Sequence, residues 1–311
     1  MKSNSYACVA LVVPVMSLWV SVALGAAQDT QADDYVFDPP IGVCTGIENA
    51  ALVRQHGYAY LEAAVGRLLV PGEPEAGFAP RYEAFQASVL PVSCYNNFLP
   101  GSLKSTGPKA DHAAVLEYAE TAFKRARRCR SRIIVFGSSG SRGIPAGFSR
   151  AKATEQFVAL LREMGPIAAK FGITVVIEPL NRKECNFVNT VAEATRIAQA
   201  VNHPNIRVLA DFYHMLLEKE GPGAIVKAGP LLAHCHIAEA KDRRAPGTYG
   251  EDFTGYFRAL KEIRYRGGIS IECRWQDLDG DLPVARAYLR AQVQAARTPA
   301  SEPSGTRLSP K

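Results

Sequence analysis

The stretch Ile173-Thr-Val-Val-Ile-Glu178-Pro179 is an apolar run of strand length that closes on a carboxylate. Three later stretches follow the same rule: Val208-Leu-Ala-Asp211-Phe-Tyr-His214, His234-Cys-His236-Ile-Ala-Glu239 and Ile269-Ser-Ile-Glu272-Cys273. Segments with helical spacing of apolar residues lie between them. Ser149 opens one, with Phe157, Leu160, Leu161, Met164 and Ile167 on its apolar face. Thr190 and Glu193 form a capping box ahead of the next. Phe253, Phe257, Leu260 and Ile263 mark another, and Val284, Tyr288, Leu289 and Val293 the last. Gly172 and Gly267 fall between helix and strand, where a left-handed C-cap is expected.

The alternation extends toward the N-terminus. The candidate strands are 41–45, 60–64, 89–95, 132–137, 173–179, 207–211, 233–238 and 268–273. Asp111 caps a helix bearing Val115, Tyr118, Ala122 and Phe123. Short apolar strands alternating with amphipathic helices imply a parallel sheet. Eight such units over this length fit a closed (β/α)8 TIM barrel. The alternative is an open doubly wound sheet, whose first turn usually reads GxGxxG; Gly42-Val-Cys-Thr-Gly46 does not. Gly137-Ser-Ser-Gly-Ser141 lacks the Gly-Lys-Ser/Thr of a phosphate-binding loop.

In a barrel the C-terminal strand ends converge on one face, where active sites are built. Glu178, Asp211, His236 and Glu272 then surround one point. Three carboxylates and an imidazole suit one divalent ion such as Mn2+, Mg2+ or Co2+. A structural zinc site would use more Cys and His. A single acid at a strand end is commonly a loop residue or cap, but four in successive strand ends point to a shared site. His234 shares a face with His236 by the period of two and reads as a structural histidine lower in the barrel.

The chain has 311 residues, with 47% hydrophobic and 21% charged, which excludes wholesale disorder. Its formal net charge of +6 is spread thinly and does not argue for nucleic acid. Residues 1–27 read as a signal peptide: Lys2, an apolar run from Ala7 to Gly25, then small residues before a polar stretch. An uncleaved membrane anchor is the competing reading, which Pro14 and the small-residue end disfavour. The expected protein is therefore exported, to the periplasm, with no stable membrane insertion after cleavage. Residues 36–297 form the barrel domain, and the Pro/Ser/Thr-rich segment 298–311 reads as a disordered tail. Cys44, Cys94, Cys235 and Cys273 fall in strand-like runs, so few or no disulfides are expected.

Together, Glu178-Pro-Leu-Asn-Arg182 with Glu184, Asp211-x-x-His214, His234-x-His236-x-x-Glu239 and Ile271-Glu272 resemble the sugar isomerase/epimerase group. Its members have xylose-isomerase-like TIM barrels, and the ketose 3-epimerases are the nearest well-known ones. Pro246-Gly247-x-x-Gly250-x-Asp252-Phe253 matches too. The resemblance runs from about Ile41 to Val293 and is strongest from Glu178 onward. It implies that Glu178, Asp211, His236 and Glu272 are metal ligands. It also implies that Glu178 and Glu272 are the acid/base pair, and that Glu184 and His214 hold the substrate's carbonyl and hydroxyl end. A family arginine lies six residues after the strand-seven histidine. Here that position is Asp242, with Arg243 one later; either the loop shifts by one residue or the contact is lost.

The chemistry is coherent by itself. Removing a proton beside a carbonyl leaves an enediolate, which a divalent cation stabilises. Return of the proton on the other face gives an epimer, and return at the neighbouring carbon gives an aldose–ketose isomer. The expected substrate is a non-phosphorylated ketose or keto-sugar; the sequence is also compatible with a homo-oligomer. Rival readings are a lyase, dehydratase or glycoside-cleaving enzyme with the same metal and enolate, and a non-catalytic sugar-binding barrel. A DNA-repair endonuclease of AP-endonuclease type is the weakest. It needs further histidines, and His56 and His112 do not sit at strand C-termini. Arg142, Lys104 and Lys241 are candidate anion contacts, with solvated surface charge the stronger reading. Trp275, Tyr95 and Phe212 are candidate pocket walls, with core packing the competing role.

Overall fold

The computed structural model describes residues 35–298; the signal-like run at 1–27 and tail residues 299–311 lie outside them. Eight strands form a closed parallel barrel in sequence order. They are β1 (Ile41–Cys44), β2 (Tyr60–Ala64), β3 (Val92–Asn96), β4 (Ile133–Phe136), β5 (Thr174–Ile177), β6 (Ile206–Asp211), β7 (Leu232–Ile237) and β8 (Ile269–Ile271). No helix among the described residues is long and apolar enough to cross a membrane.

Helices cover the outside. His112–Arg128 buries Val115, Ala119, Ala122 and Phe123, and Arg150–Lys170 buries Phe157, Leu160, Leu161 and Met164. The expected caps form: the side chains of Asp111, Ser149 and Thr190 accept from the amides of Ala114, Lys152 and Glu193. A file of edge-on rings, Phe98–Phe136–Phe157–Phe187 with centroids 5.1–5.5 Å apart, ties β4 to that helical layer. In the last helix, Leu278–Arg297, the buried face is Leu282, Ala285, Leu289 and Val293. Val284, expected on that face, is 54% exposed, because the stripe is set one residue later.

Gly172 is left-handed at φ +67°, as a C-cap requires. Gly267 is not; Arg264, at φ +57°, makes that turn. Gly267 serves close approach instead, since a Cβ there would overlap the Tyr265 ring and stand 2.9 Å from the Ala233 carbonyl.

The barrel interior has two unlike sides. Val135, Val176 and Leu209 form a fully buried apolar cluster on one. On the other, Glu62 of β2 reaches His234 and His236 of β7 and Ser270 of β8. The six cysteines of the described residues are all free thiols.

Candidate functional site

Strand register brings the four expected side chains together. Asp211 ends β6 directly beside His236 of β7. Glu178 and Glu272 lie one residue beyond β5 and β8, yet their amides still join the ladder, to Phe136 O (3.3 Å) and Ile237 O (3.2 Å). One ligand atom from each of Glu178, Asp211, His236 and Glu272 lies within 4.8 Å of every other. His236 Nδ1 is 3.0 Å from Glu178 Oε1 and 3.3 Å from Glu272 Oε2. Gly137 gives Glu178 its room: a Cβ there would overlap Oε2 and stand 3.1 Å from Cδ.

Charge crowding leaves its mark. Burial, with the Glu272 charge adding, pushes Asp211 up to about 6 against the pull of Arg243 and His236. Burial likewise raises Glu178, with Glu272 and Asp211 adding. Burial also acts to raise Glu272, but His236 and Arg243 outweigh it and hold this carboxyl at about 2. Glu62 and Glu272 outweigh burial at His236 and keep its imidazole well above the ordinary range. His214 goes the other way: burial lowers it to about 4. Its Nδ1 accepts from the Asn181 amide (3.1 Å), so the proton sits on Nε2, 3.5 Å from Asp211 Oδ2. That Oδ2 is buried without a hydrogen-bond partner. A buried orphan oxygen among three like charges and an imidazole is a donor set that fits a divalent cation.

Arg243 stands inside the cluster. Its guanidinium pairs with the Glu272 carboxylate, donates to the Glu272 carbonyl (3.2 Å) and lies 3.6 Å from both Asp211 Oδ2 and Glu184 Oε2. Two consecutive left-handed residues, Asp242 (φ +56°) and Arg243 (φ +52°), turn the loop where the Arg243 side chain enters the cluster. Glu184 accepts from Asn181 Nδ2 at 2.9 Å, which links it to His214.

Sequence reasoning missed four supporting residues. Glu62 lies beneath His236, and His236 and His234 outweigh burial to hold its carboxyl below the ordinary range. A carboxylate inside an otherwise apolar strand was its signal. Asn96, which extends β3 by one residue, donates to Glu272 Oε1 at 2.9 Å. Asn181 orients His214 and Glu184. Glu239 is fully buried and accepts from the amides of Gly247, Tyr249 and Gly250 at 2.7, 2.6 and 3.0 Å, buckling the loop that carries Arg243.

Other candidates fall elsewhere. Arg142 is fully buried and donates to the carbonyls of Phe136 and Val188, so it is structural. Lys104 donates to Gly140 O, and Lys241 lies over the Tyr249 ring. Tyr95 is fully buried, and Phe212 stacks on Tyr256 in the helical layer, so neither walls a pocket. Trp275 is half-buried. His56 contacts Asp279 and His112 contacts Ser105 O, both away from the cluster. A cavity of about 330 Å3 opens beside Glu272, bounded by Cys44, Thr45, Glu48, Arg67 and Asn96.

Comparison with known proteins gives the same architecture. The L-ribulose 3-epimerase of Methylomonas sp. (strain DH-1) is 39% identical over 116 residues, covering 37% of this chain and 40% of that protein. The 3-dehydro-D-guloside 4-epimerase of Escherichia coli (strain K12) is 35% identical over 115 residues, covering 37% of this chain and 44% of that protein. Each alignment spans less than half of the curated relative's length. The crystal structure of D-allulose 3-epimerase from Methylomonas sp. in complex with D-allulose superposes with a TM-score of 0.70 at 25% identity, over 82% of this chain and 97% of that one. A family profile described as xylose isomerase-like TIM barrel matches residues 50–294, and the chain belongs to that family.

Proposed function

We propose that the protein is a metal-dependent sugar epimerase or isomerase that moves a proton at the carbon beside a carbonyl, through an enediolate. The observation that carries this is the pair Glu178 and Glu272. They approach one imidazole nitrogen from β5 and β8, and their proton affinities are pushed in opposite directions. Two carboxylates separated in this way are suited to acid and base roles. One takes the proton from carbon; the other, across the sugar, returns it. His214 offers its Nε2 proton, and Glu184 its carboxylate, to the carbonyl and hydroxyl end of the substrate. Arg243 bridges Glu184 to the cluster and orients both. Glu178, Asp211, His236 and Glu272 would hold one divalent ion, which supplies Lewis-acid stabilisation of developing oxygen charge. The relatives' names, an L-ribulose 3-epimerase and a 3-dehydro-D-guloside 4-epimerase, support this class.

The substrate we assign is a non-phosphorylated ketose or keto-sugar. The engagement of Arg142 and Lys104 with backbone carbonyls supports it, as does the leader-like composition of residues 1–27, which suits a periplasmic enzyme. The test is NMR of ketoses, aldoses and keto-glycosides in D2O with Mn2+. The expected result is an isomeric product, with neither water nor aglycone lost, that carries deuterium at the reacting carbon, abolished in Glu178→Gln and in Glu272→Gln. Water loss, a released aglycone, or undiminished exchange in both variants would overturn it.

A further inference from the structure

We propose that Glu62 is a positioning residue that fixes which nitrogen of His236 faces the metal cluster, and so sets the affinity of the site for its ion. This rests on the metal-dependent reading above. Glu62 lies on β2, separated from β7 by β1 and β8 in the closed barrel, and its carboxylate is fully buried. One oxygen accepts from His236 Nε2 at 2.8 Å; the other accepts from His234 Nε2 at 2.8 Å and Ser270 Oγ at 2.6 Å. The single Ser270 hydroxyl proton is spent on Glu62, so the Tyr60 hydroxyl donates to Ser270 Oγ at 3.0 Å. Tyr60 is itself seated by two glycines: a Cβ at Gly42 or Gly268 would overlap it. Every member of this network is buried, and the Ser270 and Tyr60 hydroxyl protons each have one direction to point; His234 Nε2 also lies 3.2 Å from Ser270 Oγ.

The consequence for His236 is geometric. With the Nε2 hydrogen held by Glu62, Nδ1 is the nitrogen left toward Glu178 and Glu272. A carboxylate behind a ligating imidazole fixes ring and tautomer and strengthens the ligand. Two other three-residue groups that could hold a metal, Cys44–Glu62–His236 and Glu62–Cys94–His234, both draw on Glu62. Its two oxygens are already occupied by three donors, which favours a supporting role over a second metal site.

Glu62→Gln keeps the shape but replaces one acceptor oxygen with a donor that opposes an imidazole N–H. Mn2+ binding is read from the free-ion EPR signal in the absence of sugar. Tautomer is read from long-range 15N–1H correlations of the histidines in the Zn2+-loaded protein. The expected result is an about 10- to 100-fold weaker Mn2+ affinity, with loss of the single Nε2–H pattern at His236. Ser270→Ala, which removes one donor and little volume, should weaken Mn2+ a few-fold and keeps the test open if Glu62→Gln does not fold. Wild-type affinity and an unchanged His236 pattern in both variants would overturn the proposal. Wild-type protein that binds Mn2+ but exchanges no deuterium into any sugar refutes the proposed function and leaves the role of Glu62 standing.

Discussion

Gly137→Ala puts the proposed chemistry to a test that leaves every charged group in place. Gly137 follows β4, and the carboxylate of Glu178 occupies the space where a Cβ would stand. Clearing the Oε2 overlap to an ordinary carbon–oxygen separation of about 3.3 Å moves that oxygen by about 1 Å. Cδ, now 3.1 Å from the same point, must retreat as well. A misplacement of about 1 Å in a reacting group costs about 100-fold in rate, or about 2.7 kcal/mol of transition-state stabilisation. The fold should barely respond. Gly137 does not have a positive φ, the clashing atoms end a side chain, and Gly→Ala at a compatible position changes stability by about 1 kcal/mol or less. The assay pairs thermal unfolding with the rate of deuterium incorporation from D2O into a turned-over sugar. Near-wild-type Tm with exchange reduced about 100-fold is expected. Wild-type exchange in a folded Gly137→Ala variant would refute the placement of Glu178 at the reacting carbon.

Two further outcomes follow from the same geometry. An ion held by the cluster would take the Asp211 carboxylate, whose proton is held up to about 6, so protons would compete with it below that pH. Mn2+ affinity should rise with pH, and between pH 5 and 6 Asp211 alone should contribute about fivefold; a flat Kd measured by EPR from pH 5 to 7.5 would remove Asp211 from the ligand set. Glu239→Gln should cost about 2–3 kcal/mol, because a buried carboxylate serving four amides loses an acceptor and gains an opposing donor. Limited proteolysis should then cut between residues 240 and 252 first, and an unchanged digestion pattern would show that the buckle is not what closes the loop.

The second half of the barrel is legible in sequence because each strand there announces its end with a ligand-type side chain. Position along a strand and position in space coincide for Glu178, Asp211, His236 and Glu272. The first half carries no such signal. Glu62 and Asn96 act across the barrel, on His236 and Glu272, and the period of two says which face a residue takes but not what it meets there. Arg243 shows a second limit. It stands one residue past the position the resemblance marks, and only the structure reveals that paired left-handed residues turn the loop where its side chain enters the cluster. Tyr95 and Phe212 show a third: aromatic residues near strand ends look alike in sequence whether they face a sugar or the helical layer.

The two unlike sides of the barrel interior carry different freedoms to change. Val135, Val176 and Leu209 hold their side by filled volume, and volume can be redistributed among apolar residues at less than about 1.5 kcal/mol per swap. Tyr60, Glu62, His234 and Ser270 hold theirs by direction. Few substitutions keep the same donors and acceptors in the same directions, so most single steps away from it leave a buried group unpaired. Sequence drift in this barrel is therefore lopsided. Apolar positions inside β4 to β6 can trade volume as long as Glu178 and Asp211 keep their places at the strand ends, while β2, β7 and β8 must change together or stay as they are.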